Sequence, residues 1–259
     1  MNGSNHSSRI RAMLGLGVIS ALIAAGPASA AGSAPAGTQS GPIKSGAGPG
    51  WPATLSPSDF VRHVDNRWFP LKPGSKYRYK GVKDGKHVVD SFKVTHRTKR
   101  ILGVETTVVH DELLAHGRPV EVTSDWYAQD HRGNVWYFGE ATKTLDSHGN
   151  TISTEGSFKA GVNGARAGVF ISGHPKVGQS ARQEFYKGHA EDHFKVLDRN
   201  AHVSVPYVTS DHALLTKEWT PLEPNVVDHK DYVRGIGEVR EIAVKGPVER
   251  LEVVSFHKG

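Results

Sequence analysis

From residue 76 onward, apolar and polar side chains alternate with a period of two. Tyr77 and Tyr79 are interleaved with Lys76, Arg78 and Lys80, and the pattern resumes over residues 88–95, 105–113 and 120–129. Further short apolar or alternating runs cover residues 135–138, 151–158, 183–186, 192–197, 202–208, 213–219, 229–233, 238–244 and 250–256. Turn chemistry separates them: Asp84-Gly85, His116-Gly117, Arg132-Gly133-Asn134 and Gly149-Asn150. Many short strands with turns between them predict an all-β chain, a single antiparallel β-domain built as a barrel, half-barrel or sandwich.

Three segments depart from the pattern. Ser56-Pro57-Ser58-Asp59 has an N-cap, a proline at the first helical position and an acid in the first turn, which predicts a short N-terminal helix ending near His63. Residues 159–180 are rich in glycine and hold no regular period, so they read as a long loop, either a functional lid or a plain surface excursion. Residues 31–50 are small, Gly/Pro/Ser-rich and nearly free of apolar side chains. They read as a flexible leader, with folded sequence starting near Trp51 and running to residue 259.

Residues 1–30 read as an export signal. Arg9 and Arg11 precede an apolar run over residues 13–25, and Ala28-Ser29-Ala30 fits a cleavage site. The run is shorter than a membrane span, so the expected product is secreted and not inserted in a membrane. With no cysteine, disulfides and thiol chemistry are excluded and stability must come from the core. The full chain carries 32 Lys+Arg against 26 Asp+Glu. Loss of the two signal arginines leaves a modest excess of four cations, which favours acidic partners without selecting one. Fifteen histidines make that excess grow on acidification.

The densest chemistry lies in DWYAQD followed by GNVWYFGE. Alternation puts Asp125, Tyr127 and Gln129 on one strand face and Trp126 and Ala128 on the other, with Trp136, Tyr137 and Glu140 on the returning strand. An aromatic floor edged by polar groups suits a sugar; the same rings also suit a core. A second cluster, RQEFYKGHAEDHFK, gathers Arg182, Tyr186, His189 and His193. The two histidines have a ligand-like spacing that aligns only on a helix, and Lys187-Gly188 predicts a turn, so no metal is assigned. His110 lies in a valine-rich strand, either as a satisfied core residue or as a base. A fourth segment, EWTPLEPNVVDHKDY, brings Trp219, His229, Lys230 and Tyr232. There is no G-x-S-x-G elbow, P-loop, H-E-x-x-H or dinucleotide fingerprint.

The runs FPLKPGSKYRYKG, ILGVETTVVHD, DWYAQD and GNVWYFGE resemble a group of secreted bacterial β-proteins over residues 68–256. In size, export signal and leader the chain also resembles the small secreted hyaluronidases of actinobacteria, which are hyaluronate lyases. That resemblance implies β-elimination on a uronate polymer, hyaluronan first, by a cofactor-free monomer whose partner is an acidic polysaccharide and not nucleic acid. Elimination needs a group that neutralises the uronate carboxylate, a base for the C5 proton and an acid for the leaving oxygen. The residue types at hand are Arg182 as neutraliser, Tyr127 or Tyr186 as acid, and His110, His189 or His193 as base. Trp126, Trp136, Tyr137, Glu140, Lys230 and Tyr232 form the expected substrate-binding set. Two alternatives stay open: a two-carboxylate glycoside hydrolase, drawing on Asp125, Glu140, Glu155 and Glu184, and a non-catalytic envelope module that carries a glycan or lipid.

Overall fold

A sheet whose strands alternate along their whole length can bury one face by curling on itself, and here it curls. In the computed structural model, which describes residues 41–259, β1 (Ile43–Lys44) and β2 (Thr54–Leu55) form a small ribbon. A 3-10 turn (Pro57–Asp59) and β3 (Phe60–Val61) follow. The wall then begins with β4 (Lys76–Lys83), β5 (Lys86–Ile101), β6 (Val104–Ala115), β7 (Arg118–Asp130) and β8 (Val135–Leu145). Short strands β9 (Thr151–Ser153) and β10 (Phe158–Lys159) pair with β8. The wall continues through β11 (Arg166–Ile171), β12 (Ser180–Arg182), β13 (Glu184–Phe185), β14 (His193–Ser204), β15 (Thr209–Trp219), β16 (Val227–Val233), β17 (Gly237–Lys245) and β18 (Glu249–His257).

The long strands pair antiparallel with their neighbours in sequence, and β18 pairs with β4. The other seam lies at residues 180–185. Only Gln183 separates β12, which pairs with β14, from β13, which pairs with β11. One extended run thus bonds to both flanks, and the sheet is a nearly closed antiparallel barrel. Gly168 on β11 permits this approach: a Cβ there would stand 2.4 Å from the Arg182 carbonyl oxygen. The Asp84-Gly85 and His116-Gly117 turns both take positive φ at both positions, as two-residue hairpins require.

One stretch of the lumen is apolar. Phe69 enters from the segment before β4 and its ring packs 4.5 Å from Phe170, 5.3 Å from Tyr127 and 6.0 Å from Phe92. Beyond it the inward side chains are acidic. Thirteen acids are buried among the described residues, against two lysines and no arginine. Register sets Asp125 opposite Glu140, Glu218 opposite Asp228 and Lys230 opposite Glu241. Lys230 Nζ lies 3.3, 3.7 and 3.8 Å from Glu218, Glu241 and Glu238, and Lys83 Nζ is 2.8 Å from Glu249. The outer face carries the opposite sign, with Lys76, Arg78, Lys80, Lys93 and Lys195 all exposed.

Three expectations are corrected. The helix at Ser56 starts as read, with Asp59 Oδ2 accepting from the Ser56 amide at 2.7 Å in a capping box, but it lasts a single 3-10 turn. Phe60 and Val61 then pair with Asp130 and Gln129 instead of continuing it. The expected leader is structured from residue 41. Gly46 and Ala47 dock by backbone bonds to Ala167 and Arg182, and a Cβ on Gly46 would lie 2.8 Å from Phe185 Cβ, so small residues mark close packing here. Residues 159–180 are no continuous loop, because Arg166–Ile171 is a wall strand whose Ala and Gly residues hid its pattern. The export signal and residues 31–40 lie outside the described residues. No helix among the described residues is long and apolar enough to cross a membrane.

Burial in this acidic lumen raises carboxyl pKa values. Glu140 and Glu241 are pushed from 4.5 up to about 7, and Asp228 from 3.8 up to about 8. Protons are therefore held more tightly folded than unfolded. Their stabilisation is complete below about pH 4 and is lost as pH rises through 7 and 8. We expect the thermal midpoint to fall between pH 5 and pH 9 by at least about 5 °C, since one pKa unit is worth ~1.4 kcal/mol and a domain this size moves ~2–4 °C per kcal/mol. Glu241→Gln should flatten that slope. A midpoint that climbs from pH 5 to pH 9 would contradict this reading of the lumen.

Candidate functional site

Chemistry concentrates where β7 and β8 cross the barrel wall. Asp125 and Glu140 face each other across these strands, and the Tyr137 hydroxyl donates toward both, 2.6 Å from Asp125 Oδ1 and 3.0 Å from Glu140 Oε2. A β-bulge makes this possible. Trp126 pairs with Gly139 but Tyr127 pairs with Tyr137, so the register slips by one residue. Gly139 sits at φ 134 and tucks against β10, where a Cβ would meet the Phe158 carbonyl oxygen at 2.3 Å. Residues 137 and 140, three apart, thus share the inner face.

The cluster is acidic and buried. Burial, then the neighbouring Glu140, pushes the Asp125 carboxyl up. Glu184 rises by burial and by Asp192, Glu140 and Asp125. Tyr137 stacks on Tyr127 at 4.7 Å, and the Tyr127 hydroxyl, wholly buried, has no hydrogen-bond partner among the described residues. Burial and the adjacent carboxyls hold both phenols well above their usual range.

Glu140 connects this cluster to the surface. It lines a cleft of about 350 Å³ together with Lys99, Trp126, Phe158, Lys159 and Tyr186. Lys99 Nζ sits 3.4 Å from the centre of the Trp126 ring. Burial and the charge of Lys159 lower the Lys99 pKa, which places the two cations in one field. At the rim Tyr186 stacks on His189 at 4.4 Å, and His189 Nδ1 lies 3.3 Å from Glu155. The cleft therefore offers two ammonium groups to an anion, with Glu140, whose carboxyl is pushed up to about 7, in its wall.

The sequence-derived residues divide between this cleft and other places. Trp126, Glu140 and Tyr186 line it, with His189 against Tyr186. Tyr127, Trp136 and Tyr137 are completely buried, so none is an open sugar platform; Trp136 Nε1 instead donates to Asp130 at 2.9 Å. The outer side of β7 and β8 is sealed because Phe60 packs on Trp136 and Phe138. Lys230 and Tyr232 face the lumen, held by carboxylates, and cannot bind a surface ligand. His110 points outward on β6 between Lys93 and Ser124, outside the cleft. Arg182 and His193 pair across β12 and β14, with His193 stacked on Trp219 at 5.3 Å. The aromatic floor beside two turns, expected as one open trough, is thus a sealed core with a cleft at its edge.

Sequence reasoning missed Lys99 and Lys159 as site residues. Lys99 belongs to a strand whose register alone brings it over Trp126, and Lys159 lies in a segment read as loop. Nothing local marked either.

The Tyr137 hydroxyl stabilises the charged form of Glu140, so removing it should raise that pKa further. Tyr137→Phe is expected to move the Glu140 titration above about 7 in a carboxyl-carbon NMR titration and to cost on the order of 1–3 kcal/mol, as a buried hydrogen-bond donor is lost. An unmoved titration would remove Tyr137 from the cluster.

No family model matches this chain, and no curated protein does. Among solved structures, a "putative lipoprotein" from Parabacteroides distasonis is similar at 10% identity with a TM-score of 0.38, over 74% of this chain and 99% of that one. A likeness at that level assigns no activity.

Proposed function

We propose that the protein is an exported enzyme that binds a uronate-containing polysaccharide in the Lys99–Lys159 cleft and cleaves it by β-elimination, with hyaluronan as the first substrate to test. The observation that carries this reading is the meeting of two ammonium groups with a carboxyl whose pKa is about 7 in one cleft. Lys99 and Lys159 neutralise the uronate carboxylate and so acidify the C5 proton. Glu140, partly ionised at neutral pH, takes that proton. Electrons from the C5–H bond form the C4–C5 double bond, the C4–O bond breaks, and Tyr186 protonates the departing oxygen. Compared with the roles read from sequence, Tyr186 keeps its place as acid. The lysines replace Arg182 as neutraliser, and Glu140 replaces histidine as base.

One observation favours hydrolysis as a second reading. The Asp125 and Glu140 oxygens approach one hydroxyl at 2.6 and 3.0 Å, a pair too close for the inverting geometry of about 6.5–9.5 Å but compatible with a retaining one. The products separate the two: elimination leaves an unsaturated uronate that absorbs in the ultraviolet, and hydrolysis leaves a saturated end.

With hyaluronan, chondroitin and alginate as substrates, at least one should give the unsaturated absorbance, with a rate that rises as pH passes through about 7. Glu140→Gln should lower kcat by ~10²–10⁴-fold, the usual worth of a general base. Lys159→Ala should lower kcat as well as weaken binding, because its cation acts on the charge that develops at the carboxylate. Saturated ends alone would leave the hydrolase, and no new chain ends from any polymer would refute cleavage.

A further inference from the structure

Outside the cleft, basic side chains stand opposite one another across the wall, with Lys195 facing Lys217 as a pair of full cations. Arg182 on β12 pairs with His193 on β14, which pairs with Trp219 on β15. One row away Lys195 pairs with Lys217, and Lys217 with His229 on β16. All six side chains point away from the lumen, since Phe194, Thr216, Glu218 and Lys230, which alternate with them, are buried. Like charges directly opposite one another destabilise a sheet. Two nearby acids have other partners as well: Glu191 Oε1 accepts from the Gly188 amide at 2.7 Å, and Asp231 pairs with Arg240 at 2.8 Å; Asp192, Glu218 and Asp228, adjacent in sequence, are buried. Trp219 is half-buried, with Lys217 5.1 Å from its ring centre on top of the His193 stack.

We infer that this outer face of β12, β14, β15 and β16 is a docking surface for a carboxylated polysaccharide chain, distinct from the cleft. Four strands at the usual spacing extend it over about 14 Å, more than a single anionic group covers. A row of separated cations with one indole matches a polymer that repeats carboxylates and offers sugar faces between them. A polyanion on this face offsets the repulsion between Lys195 and Lys217. The surface also strengthens on acidification. Burial and Arg182 hold His193 below its ordinary pKa, opposed by Glu191; burial, Lys217 and Arg240 do the same to His229, opposed by Asp231. Acidification adds charge to both imidazoles, at lower pH than for a free one.

The identity of the polymer rests on the proposed cleavage; the surface itself does not. The test is equilibrium binding of the full chain to immobilised alginate and hyaluronan, beside turnover of short oligouronates. Wild type should bind at least one polymer, more tightly at pH 5 than at pH 7 and less tightly in high salt. The Lys195→Ser, Lys217→Ser double variant should lose about ten-fold in polymer affinity while cleaving short oligomers as wild type does, and Lys195→Arg, Lys217→Arg should retain affinity. Glu140→Gln should bind polymer as wild type does and cleave it ~10²–10⁴-fold more slowly. Binding without turnover in wild type would defeat the proposed cleavage and keep the surface. Turnover of oligomers with no polymer binding, or full affinity in the serine variant, would overturn the surface and keep the cleavage. Duplex DNA or anionic vesicles displacing alginate at equal charge would overturn the assignment to polysaccharide.

Discussion

The barrel is organised around one constraint: carboxyl groups from neighbouring strands face each other inside it, with two lysines to offset them. Isolated charges of one sign cannot share a dry interior, because desolvation and mutual repulsion both oppose ionisation. The lumen settles this in two ways. Around Lys230, three glutamates share one ammonium within 3.8 Å, and two of them, Glu238 and Glu241, also hold protons more tightly than usual. Around Tyr137, protons do the work, and Asp125, Glu140 and Glu184 all hold theirs beyond the usual carboxylate range. The outer wall then carries the cations the interior lacks, which is why a chain with a small net charge has strongly charged surfaces.

The same constraint gives the cleft its chemistry. A surface carboxyl would be fully ionised at neutral pH and a poor proton acceptor. Glu140 shares its environment with Asp125 and Glu184 yet lines the cleft, so its proton affinity is set by the lumen and its reach is set by the bulge at Gly139. Lys99 and Lys159 come from β5 and β10, the first reaching over the Trp126 ring and the second on a strand paired with β8. Anion binding and proton transfer therefore arise from opposite faces of one wall and meet where that wall is irregular.

The amount legible in the sequence follows from this geometry. Period-two alternation located the long strands and the two-residue turns because each depends on local residues alone. It also grouped Asp125 with Tyr127 correctly. It could not tell which face was inside, since solubility suggests that the polar face is outside and this barrel reverses that for its acids. It could not see the bulge, which joins Tyr137 to Glu140 against the count of two. Trp126 and Trp136 looked like a platform because the packing of Phe60 and β10 over them is non-local. His189 and His193 looked like a pair until a tight turn at Tyr186–Ala190 sent one to Tyr186 and the other to Trp219. Residues 41–50 lacked apolar content yet dock through backbone bonds, which composition does not report.

Proton release on unfolding tests the central claim most directly. Calorimetric unfolding at pH 7, repeated in buffers of different ionisation enthalpy, counts the protons that leave when the lumen opens. Carboxyls kept neutral by burial require the release of several protons per chain, and Glu140→Gln with Glu241→Gln should remove part of that number. Unfolding that releases none, or that takes protons up, would mean the interior acids are ionised in the folded barrel and that the account of its lumen is wrong.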